Sequence, residues 1–342
     1  MKLQAWVVAV PLLAVSWDVS AAPRDAEQID INRYHGCAVT SCGEVKCWGR
    51  NDSGQSADRN PTVFTPPFGA PIIPKFESVS VGQYHTCALD EDGDVECWGK
   101  NNYGQSADRL GPFVQLTTGY NHNCALDAAG NVECWGSDVH GESSEVPTNV
   151  EFEDISAGLD FTCGVVQGGA EIQCWGRDTY DQAPTSLAPP NVAASEVWTT
   201  VTAGAYHACA TTDWQGGDTA YCWGYGPYAS LNGFTTEVQP GVFWFPFYDL
   251  LDIDAGVTGT MLTRPDGGDP EITGYGSTFA SYPVAANTFA DDIALDASHW
   301  CYVDLVGDLH CEGSNQYGKS TPPSMGGSCP GFLPVPIPGW GW

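Results

Sequence analysis

Positive charge is the scarcest property of this sequence. Twelve Lys and Arg stand against 42 Asp and Glu in 342 residues, a formal net charge of -30. A surface so short of cations repels a phosphate backbone, which excludes a nucleic-acid partner and favours a basic one, whose encounter the acidic field would speed. Long apolar runs are also missing, and after residue 22 no stretch has the length of a membrane span. The cysteines lack metal-site spacing: there is no C-x-x-C and no recurring C-x-x-H, which removes the common zinc frameworks. Nor does the chain hold a G-x-S-x-G, an H-E-x-x-H or a Gly-rich phosphate loop with Lys.

Gly (40), Pro (24), Trp (13) and Cys (14) are what the chain has in quantity. The first two suit turn-rich β architecture, and a hydrophobic content of 42% excludes wholesale disorder. Lys2, the apolar run AWVVAVPLLAV at 5–15 and the small residues Val19-Ser20-Ala21-Ala22 form a signal-peptide pattern over 1–22. The chain is therefore expected to be secreted, extracellular or periplasmic, with residues 23–342 as one mature domain. In an oxidising compartment an even cysteine count reads as disulfides.

The cysteines are spaced as a repeat. Cys37/Cys47, Cys87/Cys97, Cys124/Cys134 and Cys301/Cys311 are ten apart, Cys163/Cys174 eleven and Cys209/Cys222 thirteen. Aligned on them, GQYHTCALDEDGDVECWG at 82–99 matches GYNHNCALDAAGNVECWG at 119–136, with related copies near Tyr34, Gly158, Gly204 and Asp296. A further copy at 256–276 has Met261 and Gly274 in place of its cysteines, making seven. A period of 40–50 residues means an array of supersecondary units. Each unit reads as a hairpin. Pairing Cys87 with Cys97 sets Leu89 opposite Val95 and leaves Glu91-Asp92-Gly93 as a type I turn closed by a left-handed Gly. The same Gly recurs as Gly43, Gly130 and Gly307. Cysteines so opposed can form six intra-hairpin bridges.

Seven such units suit radial closure, so the expected fold is all-β, a seven-bladed β-propeller with four strands per blade. Trp48, Trp98, Trp135, Trp175 and Trp223 share one repeated position and are expected in the packing between blades.

The pattern G-x-x-H-x-C-A-L-x-x-x-G-x-V-x-C-W-G-x-N-x-x-G-Q resembles the repeat of the regulator-of-chromosome-condensation family of seven-bladed propellers. Arg50 to Gln55 and Lys100 to Gln105 match its segment after Trp-Gly. The resemblance implies a scaffold for protein contacts. That family includes a nuclear guanine-nucleotide exchange factor, and the paired cysteines of this chain depart from such a setting.

His35, His85, His122, His207 and His299 each precede a first cysteine by two residues, and a ring of imidazoles invites a metal reading. Two copies carry Phe161 and Gly259 instead, which favours a structural hydrogen bond to a neighbouring turn. Asp90, Asp92 and Asp94 mimic a calcium loop, but the twelfth position holds Asn101 rather than Glu, and a solvated hairpin tip is the plainer reading. No cofactor is expected.

Two irregularities remain. The insertion 225–250 is crowded with aromatics: Tyr228, Phe234, Phe243, Trp244, Phe245, Phe247 and Tyr248 are candidate binding residues, unless they pack as extra blade structure. Cys42, at the first hairpin tip, and Cys329, in the Gly- and Pro-rich tail 321–342, have no hairpin partner, and ring closure would bring them together. The reading is a monomeric, non-enzymatic binding scaffold whose loops contact a protein or a surface glycan. The alternative is a propeller-based hydrolase or lyase with carboxylates near the axial channel.

Overall fold

A computed structural model describes residues 26–60, 75–189, 196–213, 219–225, 236–239, 242–244, 252–257, 259–266, 269–276, 288 and 290–325. Strands pair into seven antiparallel sheets, one for each sequence copy. Blade one is Gln28–Ile31, His35–Val39 and Val45–Gly49; blade two is Phe76–Val81, His85–Asp90 and Val95–Gly99. Blade three is Phe113–Thr118, His122–Asp127 and Val132–Gly136; blade four is Phe152–Ala157, Phe161–Val166 and Ile172–Gly176. Blade five opens with Val197–Ala203, His207–Asp213 and Thr219–Gly224. Blade six is Asp252–Ala255, Gly259–Asp266 and Asp269–Gly276; blade seven is Asp292–Leu295, His299–Val303 and Leu309–Gly313.

The hairpin register is the one the sequence implies. Cys37 faces Cys47, Cys87 faces Cys97 and Cys124 faces Cys134; Cys163–Cys174, Cys209–Cys222 and Cys301–Cys311 complete the set. All six pairs are disulfide-bonded, with Cα atoms 4.0–4.1 Å apart. Met261 faces Gly274 at the same place in blade six. Gly93 closes its turn at φ +84°, in the left-handed region that a three-residue loop requires.

The expectation of four full strands needs correction. Among the described residues six blades hold three strands, and in blades one, two and four the fourth shrinks to one bridging pair: Val45 with Arg59, Val95 with Arg109, Ile172 with Leu187. An aspartate replaces the missing ladder. Asp58 Oδ1 accepts the Cys47 N–H at 2.9 Å, and Asp108 Oδ1 accepts that of Cys97 at 2.8 Å. Blade five differs, because the aromatic insertion adds Val242–Trp244 and, outside it, Thr236–Gln239 to its sheet. Part of the insertion is therefore blade structure.

Repeated clasps hold neighbouring blades together. Trp98, Trp175 and Trp223 are buried and donate their indole N–H to the carbonyls of Gln55, Glu142 and Gln182 in the preceding blade. Arg59 lies 4.7 Å from the Trp98 ring and 2.9 Å from Glu96, and Arg109 treats Trp135 and Glu133 in the same way. The ring closes with the same devices. Trp48 donates to Lys319 O at 2.7 Å, Ala26 N to Gly307 O at 3.0 Å, and Ile29 N to Asp292 Oδ2 at 2.7 Å.

Candidate functional site

The first strands of all seven blades line a central cavity of about 380 Å³. Their edges would leave unpaired N–H groups, and side chains of the preceding blade satisfy them. Asp30 Oδ2 accepts Val81 N at 2.7 Å, Thr117 Oγ1 accepts Ala157 N at 2.9 Å and Asp154 Oδ2 accepts Val201 N at 2.7 Å. Asp254 Oδ2 accepts Leu295 N at 2.6 Å. Asp30, Asp154 and Asp254 are axial carboxylates of the kind a hydrolase reading requires, and each of the three is engaged in joining blades. Burial outweighs the donated hydrogen bonds and pushes the Asp30 carboxyl up to about 6; Asp154 moves in the same direction for the same cause.

The histidines join blades as well. Nε2 of His35, His85, His122 and His207 lies 2.8–3.0 Å from Thr86, Asn123, Thr162 and Thr260, each on the second strand of the next blade. The partner is a side chain rather than the turn expected from sequence. All four are buried, and desolvation lowers their pKa to about 3 for His35 and about 4 for the others. Among the described residues no group of three His, Cys, Asp or Glu could hold a metal ion. At the second hairpin tip, Asp90 Oδ1 accepts the N–H of Asp92 at 3.1 Å and of Asp94 at 2.9 Å, so its carboxylate caps its own turn.

The two faces of the ring differ in chemistry. The tips between second and third strands are acidic, with Glu44, Asp90 to Asp94, Asp127, Glu171, Asp304 and Asp308. The turns between first and second strands open on the other face, beside the loops after the third strands. Backbone bonds tie each turn to its loop: Arg50 N to Tyr34 O, Lys100 N to Tyr84 O, Arg177 N to Asp160 O, Tyr225 N to Tyr206 O. That face gathers tyrosines. Tyr34, Tyr84, Tyr120 and Tyr206 come from the turns, and Tyr103, Tyr180, Tyr225 and Tyr317 from the loops, eight of the 14 in the chain.

Six of them form two clusters. Tyr34 and Tyr84 stack with centroids 5.0 Å apart, Tyr317 meets Tyr34 edge-on at 6.3 Å, and Arg50 lies 5.2–5.3 Å from all three rings. The hydrogen bond between the Tyr34 and Tyr84 side chains, followed by burial, raises the Tyr34 pKa. On the far side of the ring Tyr180, Tyr206 and Tyr225 meet at 4.9–6.4 Å. Tyr103, Tyr317, Tyr180 and Tyr225 are 52, 49, 38 and 36% exposed. Sequence reading missed this face. The available signal was Tyr before the repeat His (Tyr34, Tyr84, Tyr206) and Tyr just before the loop Gly (Tyr103, Tyr317).

Of the residues that sequence reading favoured, Phe243 and Trp244 lie on the added strand of blade five, their backbones paired with Cys222 and Tyr221. Tyr228, Phe234, Phe245, Phe247 and Tyr248 lie outside the described residues, as do residues 1–22 and Cys329. Cys42 is disulfide-bonded.

Residues 26–55, 76–105 and 113–142 match the Regulator of chromosome condensation (RCC1) repeat. No curated protein matches the sequence. The fold is similar to the ectodomain of the Physcomitrella patens receptor kinase CR4, at 20% identity and TM-score 0.62, covering 84% of this chain and 74% of that one. It is also similar to the CRINKLY WD40 ectodomain of the Arabidopsis thaliana receptor kinase ACR4, at 18% identity and TM-score 0.60, covering 84% and 97%. Prp20p from Saccharomyces cerevisiae, whose structure is described together with its binding to Gsp1p and histones, aligns at 18% identity and TM-score 0.51, covering 72% and 71%. At such identities the likeness is one of fold. The chain is a seven-bladed β-propeller, and its first three blades match the regulator-of-chromosome-condensation repeat.

Proposed function

We propose that the protein is an exported, non-enzymatic scaffold that docks a protein partner on its tyrosine-bearing face. The observation that carries this reading is the collection of eight of 14 tyrosines on one face, six of them in two clusters that pack without help from any partner. Tyrosine offers large contact area at low entropic cost, and Tyr and Arg dominate interface hot spots. The described relatives of this fold include receptor ectodomains and a protein that binds Gsp1p and histones. The six bridges support export to an oxidising compartment. Asp30, Asp154 and Asp254 favour no hydrolytic chemistry, since each already accepts a neighbouring blade's N–H.

The test is site-specific photo-crosslinking in the native extracellular or periplasmic fluid. A crosslinker at Tyr103 should capture one partner, and a crosslinker at Asp92 on the opposite face should not. Capture from Asp92 alone, or turnover of a glycan that is lost on substituting Asp30 or Asp154, would overturn the reading.

A further inference from the structure

The two tyrosine clusters differ in charge, and the difference selects a partner. Beside Tyr180 and Tyr206, Arg177 is bound to Asp160 at 3.3 Å, and Asp178 and Asp181 stand in the same loop. The cluster of blades seven, one and two is cationic instead. Arg50 sits among the rings of Tyr34, Tyr84 and Tyr317, Lys100 lies 5.2 Å from the Tyr84 ring, and Arg33 is exposed in the adjoining turn. Asp52 pairs with Arg50 at 2.5 Å, and the buried Asp296 interacts electrostatically with Arg33. Three of the chain's 12 Lys and Arg therefore converge on one spot of a molecule carrying a net charge of -30.

We propose that this lobe, Tyr34, Tyr84 and Tyr317 around Arg50 with Lys100 and Arg33 at its sides, docks an acidic segment of a protein partner. The proposal rests on the reading of this face as a docking surface. The lobe is pre-organised, because Arg50 fixes three rings at once and the stacked Tyr34 and Tyr84 hold each other. Binding then loses little side-chain entropy. The stack covers one face of each ring, and the Lys100 and Arg33 cations stand beside it as contact groups. Those are charged hydrogen-bond donors suited to carboxylates. Elsewhere the acidic surface repels such a segment, so net charge works as orientation control. A kinetic signature follows. Moderate salt screens the long-range repulsion of the whole chain before it weakens close contacts, so the association rate should rise with salt, the reverse of an ordinary steered pair.

The experiment uses the oxidised protein and three labelled twelve-residue peptides in which Glu, Gln or Lys alternates with Gly. The Glu peptide should bind, with an association rate higher at 150 mM than at 20 mM salt. The Arg33→Glu, Lys100→Glu double variant should weaken it by roughly tenfold or more, and Lys75→Glu on the opposite face should leave it unchanged. A melting curve matching the parent shows that the double variant is folded, and Tyr317→Ala gives a second, uncharged route to the same loss. No binding of the Glu peptide, binding indifferent to these variants, or tighter binding of the Lys peptide would overturn the proposal. Partner capture at Tyr103 together with any of those results would retain the docking face and reject its acidic occupant. Failure at both would reject the face itself.

Discussion

His35 Nε2 lies 2.8 Å from Thr86 Oγ1 across the seam between blades one and two, and the pair recurs at three further seams, with substitutions at two more. His85 meets Asn123, His122 meets Thr162 and His207 meets Thr260. Where blade four replaces His with Phe161, the corresponding residue of blade five is Ala208, and both belong to one buried apolar cluster. Where blade six has Gly259, blade seven brings the large Trp300 to the corresponding place. A buried imidazole needs a hydrogen-bonding partner, and a buried phenyl ring needs an apolar one. The two positions therefore act as a unit.

That pairing predicts strong non-additivity. Thr162→Ala should cost about 1–3 kcal/mol, because it strips a buried imidazole nitrogen of its partner. His122→Phe should also cost, by placing an apolar ring against a hydroxyl. The double variant recreates the Phe161–Ala208 arrangement and should cost clearly less than the sum. A denaturant double-mutant cycle measures this, and additive losses would refute the coupling.

The buried histidines set the acid sensitivity of the fold. Five are held neutral by burial, with pKa values lowered to about 3 or 4. Their stabilisation is fully present above pH 6.5, the unfolded value, and is lost as pH falls toward the folded values, by about 2 kcal/mol for each at pH 5. Burial acts oppositely on Asp30 and Asp296, whose carboxyls are pushed up to about 6. Each should regain about 1 kcal/mol as pH falls from 7 to 5. Five histidines outweigh two aspartates, so the urea midpoint should drop between pH 7 and pH 5. A midpoint that holds or rises would contradict the histidine account.

The fold was legible because its strongest constraints are local. Each cysteine pair spans ten to thirteen residues and fixes a hairpin register by itself, and seven copies fix the blade number. The fourth strand was not legible, because Asp58 and Asp108 replace a ladder in a way no hydrophobic alternation records. The tyrosine face was hidden for a different reason. Tyr34 and Tyr317 stand near opposite ends of the chain and meet only when the ring closes. The dense aromatic run at 225–250 drew attention by composition alone, and two of its members prove to lie on an added strand of blade five.

Asp154 offers a test of the axial belt. Its carboxylate accepts Gln115 Nε2 at 2.6 Å from one neighbouring blade and Val201 N at 2.7 Å from the other. Asp154→Ala leaves a strand-edge N–H unpaired and should cost about 1–3 kcal/mol. Asp154→Asn keeps an acceptor and removes the charge that burial disfavours, so it should cost less. Equal losses for the two variants would show that shape matters here and the hydrogen bonds do not.

The last prediction concerns the one bonded cysteine that no hairpin explains. Six bridges hold twelve of the 14 cysteines, Cys42 is disulfide-bonded, and Cys329 lies in the tail beyond the described residues. Cys42 sits in the tip of blade one, and blade one adjoins blade seven through Ala26–Gly307 and Trp48–Lys319. The segment leading to Cys329 starts at that seam, where Met325 packs against the cluster shared by the two blades. A Cys42–Cys329 bond would thus lock the ring at its only junction between chain ends. Closing so long a loop limits the unfolded chain more than any hairpin bridge does, by about 5 kcal/mol as an upper bound. Non-reducing peptide mapping should recover the Cys42 peptide joined to the Cys329 peptide. Cys42→Ser and Cys329→Ser should each release one titratable thiol and lower the unfolding midpoint, and the double variant should unfold where the singles do. A covalent dimer in the parent, or losses that add in the double variant, would show that the two cysteines serve different bonds.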